Sequence, residues 1–189
     1  LEAKILFGPD LDEIFDAFKN CSKTKVISGN VLDEAVSSWG FLFNLIKVGD
    51  EVLGGSYEAS LVLDEDYIIA TDEYSEEIME KYFNELIDLN VCTLEDIPAV
   101  TFYKYIKCNT SVIGALETFP PLYFFGKDVV NDIYKFNFTY QDLFEITEDA
   151  VYFKIILIKS HPRFKIEFNH EWRIGKIFFE KFLVTLHRQ

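Results

Sequence analysis

Trp172-Arg173-Ile174-Gly175-Lys176-Ile177-Phe178-Phe179-Glu180-Lys181-Phe182 joins a tryptophan and an apolar residue to a glycine, and then to an aromatic, charged run. Beyond the glycine, Lys176, Glu180 and Lys181 stand at helical spacing and favour a helix, whereas Val184-Thr185 favours a strand toward the end. Strand signals dominate upstream. Residues 100–107, 122–125, 134–138, 151–158 and 164–168 are mostly Val, Ile, Phe and Tyr. In the first half, residues 3–7 read as a buried strand before the turn Gly8-Pro9-Asp10. Residues 25–28 form a short β-branched run, and residues 39–48 (WGFLFNLIKV) read as one long strand ending at Gly49-Asp50. Two further apolar runs, 56–63 and 67–71, flank three consecutive carboxylates, Asp64-Glu65-Asp66, where the chain must turn.

One helix is clear. In residues 75–89, Ile78, Tyr82 and Leu86 recur every four residues, and Met79 and Phe83 widen the same face. Ser75 is the expected cap, Glu76 and Glu77 suit the positive end of the helix dipole, and Asn90 suits a left-handed stop.

With 49% hydrophobic and 16% aromatic residues, 189 residues are enough for one substantial core. No linker or repeat divides the chain, so residues 1–189 are expected to form one domain. The net charge of −14 argues against a nucleic-acid binder, because phosphate contacts need clustered cations. Residues 1–100 hold 22 acids and 6 bases, whereas residues 101–189 hold 10 acids and 12 bases, so the first half would attract basic partners. No apolar run approaches the roughly eighteen residues of a membrane span. Cys21, Cys92 and Cys108 with His161, His170 and His187 show no zinc-like spacing, so neither a metal nor a cofactor is expected. Glu167, His170 and Glu171 read as a solvated loop before Trp172. Three Asn-x-Ser/Thr sequons begin at Asn20, Asn109 and Asn137.

Taken in order, these segments resemble the C-terminal lobe of the pepsin-like aspartic peptidases. Residues 5–8 (ILFG) resemble the opening strand and glycine, and residues 39–52 the aromatic strand with its hairpin. Residues 59–64 (ASLVLD) resemble the strand that delivers the catalytic aspartate, and residues 119–124 (FPPLYF) the family's Leu-Pro-x-Ile-x-Phe. Residues 138–144 (FTYQDLF) are similar to a segment of the substrate-side pocket, and residues 172–182 to the closing Trp-x-apolar-Gly motif. The resemblance implies a mainly β chain, a single lobe of the acid-protease β-barrel fold with one or two helices. It also implies that Ile174 and Gly175 let the chain thread beside the catalytic loop, a structural role. An N-terminal lobe is expected elsewhere, since residues 3–7 already read as buried at the start of the chain. The family's location implies the secretory or vacuolar route.

The same resemblance makes Asp64 the catalytic position, with Glu65 and Asp66 replacing the family's Thr/Ser and Gly. The hydroxyl that ties two lobes' loops and the glycine that admits a second carboxylate are both lost. Two extra acids would also disturb a dyad that works by sharing one proton. The expected function is therefore a degenerate, non-catalytic lobe that binds peptide or protein, or serves as a structural part of a larger assembly. One alternative is an aspartic endopeptidase completed by a separate N-terminal lobe; the other is an acidic inhibitor or immunity-type protein facing a basic partner. The family pairs its cysteine with one before the closing motif, and this chain has none there. Cys108 is then free, or bonded to Cys21 or Cys92.

Overall fold

Asn44 divides the apolar run 39–48 into two strands that belong to different sheets. In an uninterrupted strand, side chains alternate faces, so residues 43, 45 and 47 would share one. Instead Phe43, Ile46 and Val48 are buried and Asn44 is exposed. The parity slips by one residue, and the Asn44 N–H leaves the first sheet to donate to the Phe125 carbonyl at 2.8 Å. The long strand expected from the sequence is thus a corner: β1 (Trp39–Phe43) followed by β2 (Leu45–Val48).

The computed structural model describes residues 39–53, 57–62, 65–97, 100–127, 133–158 and 171–182. The expected strands at residues 3–7, 25–28 and 164–168, the expected strand at Val184-Thr185, Cys21 and Asp64 all lie outside these residues. From β2 the chain makes a two-residue turn at Gly49-Asp50, with Val48 opposite Glu51, into β3 (Glu51–Leu53). Gly49 has φ +59°, so the turn uses glycine where a side chain would be strained. β4 (Tyr57–Leu61) and β5 (Ile68–Ile69) follow.

The helix begins three residues earlier than the sequence suggests. It runs without interruption through α1 (Asp72–Ile78), a π-helical turn (Met79–Phe83) and α2 (Asn84–Asp88). Ser75 is not its cap. It is buried, and its hydroxyl donates to the Thr71 carbonyl at 2.9 Å, while Asp72 and Glu73 occupy the first turn. The π turn sets Ile78 and Phe83, five residues apart, both into the core. Asn90 ends the helix at φ 55°, the left-handed stop its sequence predicts.

β6 (Cys92–Ile97) is a strand that the mixed polar sequence does not announce. β7 (Val100–Cys108), a 3-10 helix (Thr110–Thr118), β8 (Leu122–Lys127) and β9 (Ile133–Phe138) come next. α3 (Tyr140–Leu143), β10 (Phe144–Ile146), β11 (Val151–Phe153), β12 (Ile155–Ile158), β13 (Glu171–Ile174) and α4 (Lys176–Lys181) complete the described chain. The ambiguous final segment is therefore helical over residues 176–181.

The chain is mainly β, as expected, with one long helix and shorter helical turns. One sheet has nine strands in the order β1-β4-β13-β5-β12-β7-β11-β10, with β6 on β7; the other has the order β3-β2-β8-β9. Phe43, Ile46 and Phe124 join Ile68, Trp172 and Ile174 in one apolar cluster between them. Trp172 lies at its centre, fully buried, with the Tyr74 and Phe124 rings edge-on at 4.9 and 5.0 Å. Burying each such side chain contributes roughly 1.5–3 kcal/mol.

Cys92 and Cys108 face each other across the β6–β7 ladder and form a disulfide, with Cα atoms 3.9 Å apart. Sequence spacing alone left that pairing open beside a free Cys108 and a bond to Cys21.

Candidate functional site

β4 and β5 are consecutive strands, yet they do not pair with each other. β13, which arrives more than a hundred residues later, is inserted between them, parallel to β4 and antiparallel to β5. The segment joining β4 to β5 therefore crosses the end of β13. Backbone hydrogen bonds fasten it there: Val62 N–H to the Ile174 carbonyl at 3.0 Å, Gly175 N–H to the Tyr67 carbonyl at 3.2 Å, and Lys176 N–H to the Glu65 carbonyl at 2.6 Å.

Gly175 is required by this crossing. A Cβ there would stand 2.5 Å from the Tyr67 carbonyl oxygen and closer still to that of Glu65. Both obstacles are main chain and have no rotamer by which to yield. Ile174, fully buried, anchors the strand immediately before it. Ile174 and Gly175 thus lie against the loop that carries Glu65 and Asp66. Asp64 falls outside the described residues, while its neighbours Glu65 and Asp66 are placed.

Each of these two acids meets a cation of the closing segment. The Glu65 carboxylate pairs with the Arg173 guanidinium, both half-buried, and Asp66 pairs with Lys176 at 3.4 Å on the exposed rim. The two bases offset part of the charge that Glu65 and Asp66 bring to the loop. Arg173 and Lys176 are the site residues that sequence reasoning missed. They lie inside the most legible motif of the chain, but nothing in the motif says which loop they face.

Beside the loop is an open cleft of about 520 Å³, lined by Asp66, Tyr67, Phe144, Glu145, Lys154, Lys176 and Glu180. It carries both signs of charge. Partial burial raises the Tyr67 phenol above its ordinary range, and the Glu145 and Asp66 charges add to this, so Tyr67 keeps its proton and can donate.

Residues 138–144 are tied to α4. Thr139 and Asp142 form a reciprocal cap on α3, with the Thr139 N–H donating to the Asp142 Oδ2 at 2.7 Å. Lys181 of α4 also donates to that oxygen. Burial alone would raise the Asp142 carboxyl, but the Lys181 ammonium and the Thr139 donors outweigh it and hold it below the usual carboxylate range.

Among the described residues no group of three His, Cys, Asp or Glu side chains is arranged to hold a metal ion. No helix among them is long and apolar enough to cross a membrane.

No family model matches the sequence. No curated protein matches it either. Among solved structures, the chain is similar to basic 7S globulin from soybean, with a TM-score of 0.49 and 8% identity over 76% of this chain. The match covers 34% of the globulin, so this chain spans about a third of that protein's length.

Proposed function

We propose that the chain is a pepsin-like lobe whose catalytic loop has become a structural loop, and that it acts by binding peptide or protein rather than by cleaving it. One observation carries this reading. The two positions that depart from Asp-Thr/Ser-Gly, Glu65 and Asp66, are each occupied by an acid already engaged by a cation of the closing strand and helix, Arg173 and Lys176. A loop that spends its side chains on its own lobe has neither the hydroxyl nor the bare backbone with which two lobes align a pair of aspartates. The lobe itself is supported by the insertion of β13 between β4 and β5 and by the close approach of Gly175 to the loop. The adjoining mixed-charge cleft offers donors and acceptors to a peptide backbone.

A second reading, an aspartic endopeptidase completed by another lobe, is favoured by the same ion pairs seen differently. With Glu65 and Asp66 neutralised, Asp64 is spared part of the repulsion that would spoil a shared proton.

Incubation of the lobe, alone and with a second, Asp-Thr-Gly-bearing lobe supplied, with a diverse peptide library across acidic pH, with and without pepstatin, separates the two. Binding reading: no pepstatin-sensitive cleavage product appears at any pH. Peptidase reading: products appear and pepstatin removes them.

A further inference from the structure

We infer that Asn109 is an acceptor for an N-linked oligosaccharide. Asn109-Thr110-Ser111 follows β7 directly, and all three residues are exposed at the start of the 3-10 helix. The backbone beneath them is fixed: the Asn109 N–H donates to the Val91 carbonyl at 2.9 Å, and Cys108, one residue earlier, is bonded to Cys92. The Asn109 side chain is oriented by its own sequon. Its Oδ1 accepts from the Ser111 N–H at 3.0 Å and from the Ser111 hydroxyl, which leaves the amide nitrogen with no hydrogen bond among the described residues. The hydroxyl that the motif demands two residues on is thus already at the amide that must react.

The sequon at Asn137 has the same letters and a different setting. Asn137 lies within β9 opposite Tyr123, Phe138 beside it is fully buried, and the Thr139 hydroxyl is committed to Asp142. The sequon at Asn20 lies outside the described residues. Independently of the sequon, the Cys92–Cys108 disulfide belongs to an oxidising compartment, and in eukaryotic cells the lumen that forms disulfides is also the one that attaches such glycans.

The co-reactant is a lipid-diphosphate-linked oligosaccharide. The Asn109 amide nitrogen forms a bond to the anomeric carbon of its first sugar. The bond from that carbon to the diphosphate oxygen breaks, the lipid diphosphate leaves with the electron pair, and one amide proton passes to a base of the transferase. No oxidant or reductant is needed.

The full chain, directed into the secretory pathway of insect or mammalian cells by a signal peptide, is mapped by peptide mass spectrometry before and after peptide-N-glycosidase. Both secreted and lumenally retained protein are read. The expected result is a glycan on the Asn109 peptide, conversion of residue 109 to aspartate on digestion, loss of the glycan in Ser111→Ala, and an unmodified Asn137 peptide. An unmodified Asn109 peptide, whether or not Asn137 carries sugar, overturns the inference, as does a glycan that survives Ser111→Ala.

Discussion

The crossing of β13 over the acidic loop and the β6–β7 arm are held by different means. At the crossing, main chain meets main chain: three backbone hydrogen bonds and a glycine leave no space for an added atom. On the arm an antiparallel backbone ladder is reinforced across the strands by side chains. The Cys92–Cys108 disulfide spans the ladder, Lys104 pairs with Asp96, Lys107 approaches Glu95 at 3.7 Å, and the Tyr105 phenol donates to Glu95. That last bond lifts the Tyr105 phenol to about 12, with burial adding to it, and lowers the Glu95 carboxyl. A contact between backbones is intolerant of any substitution that adds volume, whereas side-chain contacts fail one at a time and by moderate amounts.

The sharpest way to break that contrast is Gly175→Ala. With two carbonyl oxygens in the way, the loss expected is about 3 kcal/mol or more, read from the midpoint of urea unfolding. A neutral substitution would mean that the loop does not sit against β13.

On the arm, replacing both Cys92 and Cys108 by Ala is expected to cost less. The bond closes a loop with a sequence separation of 16, which corresponds to about 3 kcal/mol at most in the chain-entropy account. The same loss should follow reduction of the wild type by dithiothreitol, and the loss in the double variant should be insensitive to it.

Arg173→Ala addresses the crossing through a side chain instead of its backbone. The Glu65–Arg173 pair is half-buried, so about 1 kcal/mol is expected, and a double-mutant cycle with Glu65→Gln should return a coupling of the same size. If Arg173→Ala rivals Gly175→Ala, side chains and not backbone hold the crossing.

Much of this was legible in sequence, and for physical reasons. Gly49-Asp50 announces its hairpin because glycine readily takes the positive φ that a two-residue turn needs, and Asn90 marks its helix end for a related reason. The resemblance of residues 172–182 to the family's closing motif implies a close backbone approach at Gly175. Other features were hidden because they depend on residues distant along the chain. Nothing local divides WGFLFNLIKV at Asn44, since the division comes from a change of partner strand, β4 before it and β8 after. Ser75 looks like a cap, but the preceding turn is drawn into the helix as Tyr74 packs on Trp172. The pairs of Glu65 with Arg173 and of Asp66 with Lys176 join groups about 110 residues apart and exist only because β13 is inserted where it is.

The smallest effect expected concerns Asp142. Its carboxyl is held below its unfolded value, so its contribution is present above that value and is lost as the pH falls through the lower, folded one. Because the pair keeps some access to solvent, which screens it, Asp142→Asn should cost about 1 kcal/mol at neutral pH. The difference between variant and wild type should close in strong acid, as thermal unfolding followed across pH would record.

The central claim, that this lobe does not cleave, is tested most directly at Asp64. With a second, Asp-Thr-Gly-bearing lobe supplied, peptide hydrolysis at acidic pH should be indistinguishable between wild type and Asp64→Ala, both at the level of the second lobe alone. A pepstatin-sensitive activity that Asp64→Ala abolishes, and that Glu65→Thr with Asp66→Gly enhances, would contradict it.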